Sequence, residues 1–182
     1  SLNKKINNLF GNLLIGLEFI FNRSGPMTMG ASQLCLFAKS DKFRETPNLQ
    51  FHVQPISTDK LGGAALHNFH AFTPTVANIR PTSRGEINIV SNDSREKPKI
   101  KMNYLSTPDD RKVAADGLRL VRDIVFNTET FKQYKPEELR PGPQYKSDEE
   151  LVEEGSKFTQ TIFHPVGTCK MGNDENSVVS DE

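Results

Sequence analysis

The sequence predicts an α+β domain, a mixed or antiparallel sheet backed by helices. Three observations carry this. Short apolar runs separated by turn residues follow one another through the middle of the chain. The segments flanking them carry the apolar period and the caps of helices. Strands and helices do not alternate as a βαβ array would require.

The first element is helical. Leu2, Ile6, Leu9, Phe10, Leu13, Leu14, Leu17, Ile20 and Phe21 recur at three- and four-residue steps, predicting one amphipathic helix stopped by Gly25-Pro26. Its apolar stripe is expected to pack on the sheet that follows. Strands are expected over 32–38, 49–56 and 67–77, separated by Pro47-Asn48 and Gly62-Gly63. Period-two alternation then predicts strands over 86–90 and 99–104.

A second helix is well signposted. Thr107 suits the N-cap and Pro108 the first helical position, while Asp109 and Asp110 favour the positive end of the helix dipole. Val113, Ala114, Gly117, Leu118, Val121, Ile124 and Val125 form its apolar face. The proline-containing stretch 135–146 reads as a loop. Ser147 and Glu150 then form a capping box for a third helix, with Leu151, Gly155, Phe158 and Ile162 on one face. Pro165 restricts the residue before it, so this helix is expected to end near His164 and to project that histidine into a cleft.

Composition narrows the function classes. The chain has 182 residues, enough for one substantial domain. Lys plus Arg and Asp plus Glu are both 23, so the net charge is zero. No like-charge block suggests nucleic acid or a polybasic membrane patch. The two cysteines, Cys35 and Cys169, are too few for a disulfide framework and lack zinc-site spacing. A reducing compartment is the default, with one disulfide between them left open. Lys4 and Lys5 precede an apolar run, but Asn7, Asn8, Asn12 and Glu18 interrupt it and no small-residue cleavage site follows. The expectation is a soluble, cytoplasmic protein, with membrane association of a larger parent left open.

His164 is the foremost candidate for chemistry, because an imidazole accepts a proton near neutral pH. His67 and His70, with His52 upstream, raise a metal site. Residues three apart on a strand face opposite sides, so a structural role is favoured and no metal is expected. Cys169 lies five residues after His164, but only Lys170 offers the electropositive setting a catalytic thiolate needs. Gly167 and Gly172 have phosphate-loop spacing, yet Asn173 and Asp174 replace the required Lys-Ser/Thr pair. No Gly-x-Gly-x-x-Gly turn occurs anywhere, so a dinucleotide would have to be bound mainly by another segment.

The string Phe163-His164-Pro165-Val166-Gly167-Thr168-Cys169-Lys170-Met171-Gly172 resembles the C-terminal signature of the glucose–methanol–choline (GMC) oxidoreductases, choline dehydrogenases among them. Arg80-Pro81-Thr82-Ser83-Arg84-Gly85 and Tyr104-Leu105-Ser106-Thr107-Pro108-Asp109-Asp110 resemble the same family. Ser24-Gly25-Pro26-Met27 and Leu49-Gln50-Phe51-His52 are weaker matches. The resemblance implies a substrate-binding domain spanning 1–182, with a sheet of about six strands. FAD would be bound mainly by a separate Rossmann-like domain of the same parent chain. It also implies that His164 takes the hydroxyl proton of an alcohol, that Phe163 walls the substrate pocket, and that flavin accepts the hydride. A second catalytic His or Asn, normal in the family a few dozen residues later, is absent here, so the isolated segment is expected to be inactive.

A primary alcohol, with choline as the leading example, is the implied substrate. Phe51, Phe69, Phe72 and Phe163 are candidates for an aromatic cage around a trimethylammonium group, although core packing is the first expectation for them. Two rivals stand beside this reading. One is a small-molecule binding or interaction module that kept the fold without catalysis; the other is a metal-dependent hydrolase using His52, His67 and His70.

Overall fold

The computed structural model describes residues 2–30, 32–59 and 65–180. The chain runs through α1 (Leu2–Ile6), α2 (Leu9–Asn22), a 3-10 turn (Pro26–Thr28), β1 (Leu34–Ala38), β2 (Leu49–Gln54) and β3 (Thr73–Asn78). It continues through β4 (Glu86–Asn88), β5 (Lys99–Lys101), α3 (Pro108–Asn127), α4 (Glu129–Lys132) and α5 (Asp148–Ser156). The α+β expectation holds. All strand pairing between these elements is antiparallel, in a three-stranded sheet β1-β2-β3 and a separate ribbon β4-β5. Among the described residues, five strands in two sheets stand where a single sheet of about six was expected.

The core follows from the pleat. Phe51 pairs with Leu36 on one side and Val76 on the other, so all three share one face of the sheet. That face meets α3: Leu49, Phe51 and Val113 are buried together against Ala38, Val76, Leu120 and Val121. The other side of α3 meets α5, where Ala115, Leu151 and Val152 are buried beside Ala114, Leu118 and Tyr145. α3 therefore lies between two partners, and its apolar surface is wider than the single expected face. Gly117 lets helix and sheet approach, since a Cβ there would lie 2.9 Å from Val76 Cγ2.

Five sequence expectations are corrected. The N-terminal helix is two helices. The Asn8 side chain accepts the N–H groups of Phe10 and Gly11 at 2.9 and 3.3 Å, capping a new helix where the apolar period runs on. Its stripe also does not pack on the sheet: Leu9, Phe10, Leu13, Leu14, Ile20 and Phe21 are exposed. What anchors this end is polar. Asn3, fully buried, donates to the carbonyls of Ser57 and His67 at 3.2 and 3.0 Å and accepts the Ser57 N–H at 3.0 Å.

The strand expected over 67–77 is confined to Thr73–Asn78, so His67 and His70 lie in the preceding connection. The expected strand over 86–90 ends at Asn88, with Ile89 exposed beyond it. The third helix stops at Ser156 rather than near His164. The N–H groups of Phe158 and Thr159 both turn back to the Gly155 carbonyl, and Thr159-Gln160-Thr161 follow with two β-branched residues that disfavour a helix. No helix among the described residues is long and apolar enough to cross a membrane.

Candidate active site

Two segments that the sequence singled out, around Thr82 and around Asp110, are brought together by one carboxylate. Asp110, at the third position of α3 and 3% exposed, accepts the backbone N–H of Thr82 at 2.8 Å and that of Ser83 at 2.9 Å. It also accepts the Thr82 hydroxyl and the Asn78 amide, each at 3.1 Å. The Thr107 cap hydroxyl meets the Thr82 hydroxyl at 2.6 Å, and Ser83 Oγ accepts the Ser106 N–H at 3.0 Å. Burial pushes the Asp110 carboxyl up, but the hydrogen bonds from Ser83 and Thr82 together outweigh it and hold the carboxyl below the ordinary range. The charged form is the one this site is built around.

Sequence reasoning read Asp110 as a partner of the helix dipole and as part of a family-like string, without a contact for its side chain. The missed signal was the length of the side chain: at this position in the first turn it reaches past the helix end to the loop before β4. The loop over 135–146 is organised in the same way by Arg122. Its guanidinium pairs with Glu138 at 2.8 and 2.9 Å and donates to the carbonyls of Tyr145 and Gly142 at 2.7 and 2.9 Å.

His164 and Phe163 stand on an irregular arm that leaves the body after α5. Both are exposed, Phe163 at 77%. Phe163 has φ 64°, the left-handed region that an aromatic residue rarely adopts, and its N–H is held by Thr161 Oγ at 3.0 Å. The positive φ turns the chain one residue before the histidine. Beyond it, Lys170 O accepts the N–H groups of Val178 and Val179 at 2.9 and 3.2 Å, closing the arm on itself. A helix end is thus replaced by a bent, projecting segment. Two open depressions of about 400 Å³ each lie between the start of α3 and α5, sharing Arg111 and Val152, and neither includes His164 or Phe163.

The remaining candidates are placed as follows. Cys35 and Cys169 are free, exposed thiols. His52 is half-buried on β2, across from Cys35 and Thr75. Among the described residues, no group of three His, Cys, Asp or Glu side chains is arranged to hold a metal ion. His67 is hydrogen-bonded on both ring nitrogens, to Ser57 Oγ at 3.0 Å and to Asp59 at 3.2 Å. The aromatic residues do not converge on Phe163. Phe51 is in the core, Phe69 stacks on His67 with centroids 4.9 Å apart, and Phe72 stacks on Phe131 at 5.5 Å.

Comparison with known proteins agrees with this architecture. The profile of the GMC oxidoreductases matches residues 81–182. The chain is 38% identical over 167 residues to an alcohol dehydrogenase [acceptor] of Pseudomonas putida, covering 91% of this chain and 30% of that protein. It is 36% identical over 168 residues to an oxygen-dependent choline dehydrogenase of Citrobacter koseri, covering 92% and 30%.

Among solved structures, pyridoxine 4-oxidase from Mesorbium loti superposes with a TM-score of 0.66 at 25% identity, over 83% of this chain and 30% of that one. A formate oxidase superposes with a TM-score of 0.74 at 23% identity, over 87% and 32%, which speaks for the fold alone. The fold and the two signature segments define an oxidoreductase-type α+β domain. This chain belongs to the GMC oxidoreductase family. It spans about 30% of the length of the curated relatives it matches.

Proposed function

We propose that residues 1–182 are the substrate-binding domain of a longer FAD-dependent oxidoreductase that oxidises a primary alcohol, with choline as the leading candidate. The observation that carries this is the bent arm. Phe163 turns the backbone at φ 64° and leaves His164 projecting, with no hydrogen bond to the body among the described residues. A base that must meet a substrate presented from outside its own domain suits such a position.

The residues present do not form a dinucleotide cradle, since no phosphate-binding glycine turn is in the sequence. A separate domain is therefore proposed to hold the FAD. The exposed apolar face of α2 supports this, being a surface of the kind that another protein surface covers.

In this mechanism the imidazole of His164 takes the hydroxyl proton of the alcohol. A flavin held by the rest of the protein would supply the hydride acceptor that the oxidation of the deprotonated alcohol to the aldehyde requires. Phe163 supplies an apolar wall beside the reacting carbon. This chain alone is proposed to be inactive, because its sequence has no glycine-rich turn to hold the flavin dinucleotide.

The test is anaerobic mixing of the full-length flavoprotein with choline and other primary alcohols, following flavin absorbance, with His164→Ala alongside. Bleaching by one alcohol, slowed about 100-fold or more in the variant, is the expected result. A protein that binds no flavin, or bleaches equally fast without His164, leaves a non-catalytic binding module as the better reading.

A further inference from the structure

The arm carrying His164 is rooted at two side chains, Thr159, whose hydroxyl donates to Gly155 O at 2.9 Å, and Phe158. The last backbone bond into α5 is from Thr159 N–H to Gly155 O at 3.1 Å. From 160 to 169, the hydrogen bond from Phe163 N–H to Thr161 Oγ is the one formed among the described residues, and it lies within the arm. Phe158 is the residue where the arm meets something fixed: the Arg140 guanidinium sits 4.4 Å from its ring centroid.

Arg140 is itself held from two directions. Its guanidinium pairs with Asp59, which also receives the Nε2 side of His67 at 3.2 Å. His67 is locked by Ser57 Oγ at its other nitrogen and by stacking on Phe69. From the other side, the loop bearing Arg140 is clamped by Arg122 through Glu138 and Gly142. A chain of contacts therefore runs from the connection before β3, through Asp59 and Arg140, to the root of the arm.

We propose that Arg140 is a positioning residue for His164, setting through Asp59 and Phe158 where the arm leaves the body. This rests on His164 being the reacting base. Removing the guanidinium frees Phe158 and leaves Asp59 with His67, while the two apolar clusters around α3 stay intact.

The experiment measures distance without using the reaction, so its failure is separable from failure of the catalytic reading. Spin labels are placed on Cys169 of the arm and on α3 through Asp123→Cys, with Cys35→Ser removing the other thiol. Pulsed dipolar spectroscopy then gives the distance distribution. A narrow distribution is expected in the otherwise unchanged chain. With Arg140→Ala the broad component is expected to grow about two- to fivefold relative to the narrow one, the scale of an exposed ion pair and a cation–π contact. Phe158→Ala should do the same, and Arg140→Lys should restore much of the narrow component.

A distribution already broad before substitution, or equally narrow in Arg140→Ala, overturns the proposal. So does broadening that comes with loss of α3 helicity, since that marks a general stability role.

Discussion

The carboxylate of Asp110 accepts the backbone N–H of Thr82 at 2.8 Å, so the first turn of α3 closes the loop that leads into β4. A buried charge with four donors is costly to leave unmade. Asp110→Ala should lower unfolding free energy by about 2–3 kcal/mol. Asp110→Asn should cost less, because one oxygen still accepts while the amide faces the Ser83 N–H. Urea unfolding at constant m-value measures both.

The same carboxyl gives a pH dependence. Its folded pKa lies below the ordinary value, so its contribution is present above the unfolded pKa and is lost as pH falls through the folded one. Stability of the wild-type chain should therefore fall on acidification through and below the ordinary carboxylate range. The gap between it and Asp110→Asn should close over that window. A gap that stays constant with pH would show that the charge plays no part.

Gly117 is where α3 and the sheet come closest, with Val76 Cγ2 at 2.9 Å and Leu49 Cδ2 at 3.4 Å from an added Cβ. Gly117→Val should destabilise by about 1–3 kcal/mol through overpacking. Gly117→Ala should cost less, since the gain in helix propensity of about 1 kcal/mol offsets part of the clash. Thermal unfolding of the two variants should rank them in that order.

Asn8 starts α2 by accepting two N–H groups. Asn8→Ala should cost about 1 kcal/mol and fray the first turn of α2. Hydrogen exchange at Phe10 and Gly11 reads this directly.

Phe163 is 77% exposed, so Phe163→Ala should change stability by no more than about 0.5 kcal/mol. If it walls the substrate, the variant in the full-length flavoprotein should bind alcohol more weakly while keeping its fold. Unchanged substrate affinity would remove Phe163 from the site.

The local elements were legible where a chemical cue was strong. Thr107 and Ser147 cap α3 and α5 as expected, because a hydroxyl or carboxylate at a helix start acts over three residues. The break at Asn8 was missed because the apolar period runs across it, and period outvoted a single capping residue. The end of α5 was misplaced for a similar reason: Ile162 continues the apolar spacing, but Gly155 and the threonines after it favour leaving the helix.

Of the candidate site, the family signature was legible, and the placement of His164 on an exposed arm was not. By itself, the sequence determined the α+β class, the caps of α3 and α5, the GMC family and the histidine to suspect, because these depend on residue type and spacing along the chain. Only the tertiary structure decided that Asp110 joins the two signature segments, that Arg122 builds the 135–146 loop and that Arg140 meets Phe158. Each of those contacts joins residues at least sixteen positions apart, between separate helices and loops, and backbone periodicity carries no information about which side chains meet there.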